Sequence, residues 1–504
     1  MEIIKDLDSQ RKFFRNNLKN PVLGVGVYAF NRLGLENIIP DYRLLCLRYS
    51  LDTELIEQEI ELLSLEKGMG TQHIKEPRNS TTILQHPKTI NYLRELTNKY
   101  KEPPVIVAYK ASTKMEQICQ ENLWTLAVSS TKFGKTLFEN KIKFRRMLEE
   151  LYVNIPTGEI LNVVDLDYNI LSEKYSLPFV IQHPTRGGGK GTFFVNNIED
   201  FDQAIYRLKN KPNDEGEYVA EKEVTDVIVM KFIKGSSPSI TGCVTKHGIL
   251  STSLQYQILD IPELYNSTKG SGLFCGHDWS SSNFSDKINQ QAYEAVKVVG
   301  KHFQKWGYKG IFGLDFVLDE KNDELYTIEA NPRMLGSFPT LAMSQTINCE
   351  PSIMGFHLLE YLNLDYKIDI ERVNTLMRQP KKGTHMFLHN LSHSWARNHA
   401  VLTPGIYKLN NDKLQYLRRG YKLQHLRNED EFLITEGVPM LKAHFSPNRR
   451  LCRILTLAPV LEKHNKLNLW AKKVAHATYK EFKIRPVFLP SIRKIFNPDF
   501  LAKG

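Results

Sequence analysis

Long hydrophobic runs are absent from this 504-residue chain. None approaches the ~18 apolar residues that would cross a bilayer as a helix. Cysteine is scarce as well. The six, at 46, 119, 243, 275, 349 and 452, are scattered without metal-ligand spacing. That argues against a zinc module or a disulfide frame and fits reduced thiols in a cytoplasmic protein. Residues 1–8 are charged and lack the apolar core of a secretory leader. Internal repeats and long low-complexity linkers are missing too. The length exceeds what one core organises and suits three or four lobes.

Acidic residues are thin at one end. Residues 371–504 hold 25 Lys and Arg against 9 Asp and Glu, a surplus of 16, while the rest of the chain is net −5. Such a surplus suits an acidic partner, nucleic acid, an anionic surface or simply a solvated basic face. Apolar residues interleave throughout, as at Gly405–Asn410 and Leu451–Leu457, so a β-rich fold followed by a helix is expected. Leu467, Trp470, Ala471, Val474, Thr478 and Phe482 share one helical face suited to docking on a core. His385, His389 and His393 recur every four residues, but no carboxylate accompanies them, and they read as ordinary histidines.

Residues 20–130 alternate strand and helix. Arg43–Ser50, Pro104–Tyr109 and Leu123–Ser129 read as buried strands, with helices at Thr53–Leu65 and Ser112–Glu121. This is the rhythm of a parallel sheet. Gly24-Val25-Gly26 hints at a phosphate loop, although a sharp turn explains it as well.

The most informative segment is 311–337. Two apolar strands flank a polar turn centred near Asn322, which predicts Asp315 opposite Glu329 on one sheet face. Asn331 shares that face because strand side chains alternate. Two carboxylates and an amide oxygen suit a hard divalent cation, with phosphates completing its shell. An isolated acidic hairpin usually presents only a solvated face, but here Pro332 ends the strand and Arg333 adds a cation suited to phosphate or carboxylate. Gly336–Thr340 then reads as a turn into a helix.

A second segment, 178–195, is a strand, a loop bearing Gly187, Gly188, Gly189 and Gly191, and another strand. Consecutive glycines let backbone amides approach an anion, and Lys190 and Arg186 add charge. The loop lacks the Gly-Lys-Ser/Thr ending of a Walker motif, and a strand rather than a helix follows it. The stretch 250–285 reads as a long functional loop with His277 and Asp278 at a substrate mouth. Cys275 and His277 have nothing to orient them as a nucleophile pair.

In their order, these motifs resemble the ATP-grasp superfamily over roughly residues 20–365. The resemblance implies an α+β fold in which two lobes hold ATP, an N-terminal α/β parallel-sheet lobe, and a basic C-terminal extension. The implied boundaries are 1–135, 136–370 (nucleotide lobe about 136–235, metal lobe about 236–370) and 371–504. It further implies ATP and Mg2+ (or Mn2+) as cofactors, with Asp315, Glu329 and Asn331 as metal ligands. Arg333 corresponds to the arginine that meets phosphate or acyl phosphate, and Lys141, near the exposed start of a helix, to the first nucleotide lysine. Arg186, the 187–191 loop and the hinge residues Met230, Lys231 and Ile233 would also contact nucleotide. Gln182 stands where many members have a second lysine, and the usual hinge glutamate near Met230 is missing.

The implied activity joins a small carboxylate to an amine or other nucleophile through an acyl phosphate. Dimers are common among such proteins, so a homodimer is among the expected states. The alternatives are a bicarbonate-activating, carboxylase-like enzyme and a degenerate scaffold that binds nucleotide or polyanion without chemistry.

Overall fold

Three sheets of the computed structural model position the site, and it describes residues 3–67, 79–187, 191–212, 218–220, 224–266, 272–463 and 466–487. The N-terminal sheet has five parallel strands in the order Leu62–Ser64, Arg43–Cys46, Val22–Gly26, Val105–Val107, Thr125–Leu126. Its strands are short and mostly buried, as expected where helices cover both faces. Thr53–Leu65 was expected to be one helix. The helix stops at Glu57, and the apolar Leu62–Ser64 becomes an edge strand beside Arg43–Cys46.

A four-stranded antiparallel sheet follows, ordered Gly158–Asn162, Asp226–Lys231, Phe179–Gln182, Thr192–Val195. Helix Lys141–Glu150 precedes it, with Asn140 as N-cap accepting from the Lys143 amide, and buries Phe144, Met147 and Leu148 as the periodicity predicts.

The third sheet is the backbone of the molecule. Eleven described strands run from the hairpin Gly310–Asp319/Glu324–Asn331, through Pro238–Thr245, Gln255–Leu259 and Phe274–Asp278, and on into Thr384–His389, Arg450–Thr456, Glu431–Thr435, Gly405–Asn410 and Lys413–Arg418. Gly248–Ser251 pairs alongside Pro238–Thr245. The ladder therefore passes without a break from the metal-type hairpin into the basic C-terminal segment. Helix Leu469–Phe482 packs Ala471, Val474 and Phe482 into the core of that segment, as its apolar face predicts.

The stretch expected to be a long loop holds the strand Phe274–Asp278, paired on both sides. His385 and His389 likewise lie on a strand, where their four-residue spacing puts them on one face of a sheet rather than a helix. Among the described residues, no helix is long and apolar enough to cross a membrane.

Candidate active site

The hairpin pairs Asp315 with Glu329 as its sequence predicts, but by way of an irregularity. From Asp319↔Glu324 to Phe316↔Thr327 the ladder is regular, and the register then shifts between Phe316 and Asp315. The shift leaves Ile328 unpaired. A regular ladder would have set Ile328 against Asp315, so the bulge brings the second carboxylate onto the site face.

Asn331 joins them, its Nδ2 donating to Asp315 Oδ2 at 2.8 Å, while Gln257 Nε2 donates to Asp315 Oδ1 at 2.9 Å. Burial, then the facing Glu329 charge, raises the Asp315 pKa. Two carboxylates facing each other in a buried place are costly alone and favourable around a cation. Asp315, Glu329 and Asn331 carry oxygens of the type magnesium takes, although the Asn331 Oδ1 here accepts from Arg333 Nη2 and its Nδ2 faces Asp315, so the carboxylates are the groups that suit such an ion as they stand.

Lys141 departs from its expected exposure. The side chain is only 4% exposed because it is inserted between two acceptors: Nζ lies 3.2 Å from Glu329 Oε1 and donates to the Arg186 carbonyl at 3.1 Å. One cation therefore ties the metal hairpin to the glycine-rich hairpin. A cavity beside it is lined by Lys141, Phe144, Gln182, Ile228, Met230 and Thr327, among others. At about 10 Å³ it has room for a single water, and its lining is mostly apolar with Lys141, Arg145, Gln182 and Thr327 as polar members.

The remaining predicted residues divide. Gln182 is buried on the cavity wall, its Nε2 donating to Thr192 Oγ1 at 3.5 Å. Lys231 is exposed, on the sheet face opposite Met230, and its N–H donates to the Thr157 carbonyl at 2.8 Å. Ile233 follows the strand and is half-buried. The Arg186 guanidinium bonds the carbonyls of Arg207 at 2.7 Å and Asn210 at 3.2 Å, at the end of helix Ile198–Lys209. That is a helix-capping position rather than the phosphate-facing one expected, because last-turn carbonyls attract a cation. A Cβ on Gly191 would meet Arg186 Cβ at 2.7 Å, whereas Gly187 faces open space. Gly188, Gly189 and Lys190 lie outside the described residues.

Arg333 is held in place on all sides. It donates from Nη2 to Asn331 Oδ1 at 2.6 Å, from Nε to Glu139 Oε1 at 3.3 Å, and from Nη1 to Tyr109 Oη and the Met334 carbonyl. Glu139 is also bonded by Lys110 Nζ at 2.6 Å. Glu139, Tyr109 and Gln257 were not foreseen. Their approach depends on lobe packing and strand order, and only Glu139, two residues before Lys141, lay near a motif.

His277 and Asp278 are both buried in the sheet. The Asp278 carboxylate accepts from the amides of Ser281, Val460 and Leu461 and from the hydroxyls of Ser281 and Thr384. It is a structural anchor, not a substrate contact. Asp278→Ala is expected to cost about 3 kcal/mol or more by orphaning these donors, read as a lowered denaturation midpoint. Cys275 is buried beside it, and burial pushes its thiol up to about 12, which leaves it inert as a nucleophile.

Residues 138–337 match the family model described as an ATP-grasp domain. This segment is an ATP-grasp domain. The chain is 28% identical over 165 residues to a D-alanine–D-alanine ligase of Fusobacterium nucleatum, covering 32% of this chain and 48% of that protein. It spans about half the length of the curated relatives it matches. Among solved structures, it resembles the biotin carboxylase domain of Hydrogenobacter thermophilus 2-oxoglutarate carboxylase, determined with MgADP, ADP and bicarbonate. That match has a TM-score of 0.54 at 14% identity and covers 96% of this chain and 95% of that one. Biotin carboxylase of Campylobacter jejuni, in a β,γ-ATP complex, matches with a TM-score of 0.54 at 13% identity, over 96% and 97% of the two chains. At these identities the likeness is one of fold, and it extends beyond the ATP-grasp domain through the C-terminal strands.

Proposed function

We propose that the protein is an ATP- and Mg2+-dependent ligase that activates a carboxylate as an acyl phosphate and transfers the acyl group to an amine or related nucleophile. The observation that carries this reading is the junction at Lys141, where a cation from the nucleotide lobe meets the Glu329 carboxylate of the metal hairpin. Asp315, Glu329 and Asn331 would hold magnesium, which supplies charge neutralisation between the terminal phosphates.

The chain's own groups do the rest. The hinge strand bearing Ile228 and Met230 would face the base. Lys141 balances phosphate charge at the cleft. Arg333, already fixed by Asn331, Glu139 and Tyr109, holds the transferring phosphoryl group without reorganising. In the first half-reaction a carboxylate oxygen attacks the γ-phosphorus and the bond to ADP breaks. In the second, the nucleophile's lone pair attacks the acyl carbon, the C–O bond breaks, phosphate departs with its electrons, and the amine proton passes to solvent. Tight positioning and fixed charge are what this chemistry needs.

The test is ADP and phosphate release from MgATP against pooled amino acids, small carboxylic acids and amines, with bicarbonate as a separate arm. Release that requires a carboxylate–nucleophile pair is the expected result. Release driven by bicarbonate alone would replace it with the carboxylase-like reaction. Nucleotide binding with no release from any arm would make the domain a binding scaffold.

A further inference from the structure

Near Arg333, but on the N-terminal lobe, Arg32 is a part-buried guanidinium with no carboxylate of its own among the described residues. Its Nε donates to the Val25 carbonyl at 3.0 Å, which leaves both terminal nitrogens uncommitted. Its guanidinium carbon lies 5.8 Å from the Tyr109 ring centroid, and that of Arg333 lies 4.9 Å from the same ring. The two arginines thus flank one tyrosine.

The glycines of Gly24-Val25-Gly26 explain how Arg32 is held. A Cβ on Gly24 would come within 2.6 Å of Arg32 Cβ, and one on Gly26 within 2.9 Å of Arg32 Nε. What resembled a phosphate loop in the sequence is a cradle for an arginine stem. The acids nearby are already outnumbered. Glu436 is clasped by Arg450 at 2.6 Å and by Arg453, and Glu139 by Lys110 and Arg333. With Asp315 and Glu329, which also face Arg333, and with Lys141, six cations (Arg32, Lys110, Lys141, Arg333, Arg450 and Arg453) share four carboxylates (Glu139, Glu436, Asp315 and Glu329). Removing a guanidinium from water without a partner is costly, and its planar fork matches a carboxylate or phosphate in two-point contact.

We propose that Arg32 is a binding residue for an anionic group, carboxylate or phosphate, carried by the second substrate on the side of Arg333 away from the nucleotide. The assignment of that molecule as a ligase substrate rests on the function proposed above, while the anion site itself rests on Arg32. A substrate with such a group would dock on the N-terminal lobe and present its reacting end toward Arg333 and the metal ligands.

The experiment is calorimetric titration of the full chain, and of its Arg32→Gln, Arg32→Lys and Lys287→Gln variants, with succinate and with inorganic phosphate at constant ionic strength. MgADP is titrated separately. The wild type should bind at least one anion, and the tighter of the two names the recognised group. Both Arg32 variants should weaken that binding at least tenfold while Lys287→Gln, at an exposed helix position away from the cleft residues, leaves it within twofold. Arg32→Lys keeps a cation and an alkyl stem in the glycine cradle, so it remains informative if glutamine impairs folding, checked by circular dichroism. Equal anion binding by wild type and Arg32 variants, or none by the wild type, overturns the proposal. Failure of MgADP to bind the wild type while Arg32-dependent anion binding persists would instead overturn the ligase reading and leave the anion site standing.

Discussion

Glu329→Gln is expected to lower ATP turnover by about 10³-fold while leaving the fold intact. Glutamine preserves the shape of the side chain but removes a charged oxygen from the donor set and the ion-pair partner of Lys141, 3.2 Å away. Both losses fall where charge develops during phosphoryl transfer, so kcat should suffer more than nucleotide affinity. Thermal stability should change little or fall modestly, because relief of the like charge facing Asp315 is set against the loss of the counter-charge of the buried Lys141. Raising the magnesium concentration should recover part of the rate, since the weakened site would then be more fully occupied. Steady-state ADP release across a magnesium series, alongside a melting curve, checks all three points. Turnover within threefold of the wild type would remove the hairpin from the catalytic machinery.

The second large effect concerns stability. Glu436, fully buried, accepts from Arg450 Nη1 at 2.6 Å and from Arg453 Nε, and Arg453 is itself only 2% exposed. Glu436→Gln leaves a buried guanidinium without its counter-charge, a loss expected to cost about 3–5 kcal/mol. Burial pulls the Arg453 pKa down to about 10 against the pull of Glu436, so it stays charged at neutral pH. For Glu436, burial pushes upward, but Arg453 and Arg450 outweigh it and the pKa falls below 4.5. A depressed acid pKa stabilises the fold above the unfolded value, and that contribution is lost as pH drops through the folded one. The gap between wild type and Glu436→Gln should therefore be full at pH 7 and should narrow only below about pH 4.5. Adding Arg453→Met to Glu436→Gln should recover at least half of the loss, because the orphaned charge is gone. Chemical denaturation at both pH values measures it.

The parts of the site carried by short-range pattern were readable from the chain. A turn centred near Asn322 sets Asp315 against Glu329, but the ladder reaches that pairing only through the bulge at Ile328, which leaves no trace in periodicity. Helix periodicity found the buried face of Lys141–Glu150 but not the burial of Lys141, which depends on Glu329, nearly two hundred residues away. The place of Arg186 is not legible in the chain, because charge beside a glycine-rich loop looks the same whether it faces a ligand or the end of the next helix. Gln257 reaches Asp315 from another strand of the large sheet, an approach fixed by strand order alone. Arg32 was overlooked because its glycines drew attention to themselves rather than to what they accommodate. In the N-terminal sheet, Leu62–Ser64 was absorbed into a helix because so short an apolar run carries no clear period.

The unbroken ladder from the hairpin to the C-terminal strands sets the terms on which the protein can be divided. Thr384–His389 covers the flank of Phe274–Asp278, so a shortened chain ending near residue 370 would carry an open row of amide donors and acceptors. Such an edge invites pairing with other chains. The basic segment, whatever it meets, shares a continuous hydrogen-bonded ladder with the strands that carry the acidic site. Strain applied at one flank has a stiff path to the other, and a cargo domain or affinity tag is better placed in a surface turn than at that boundary.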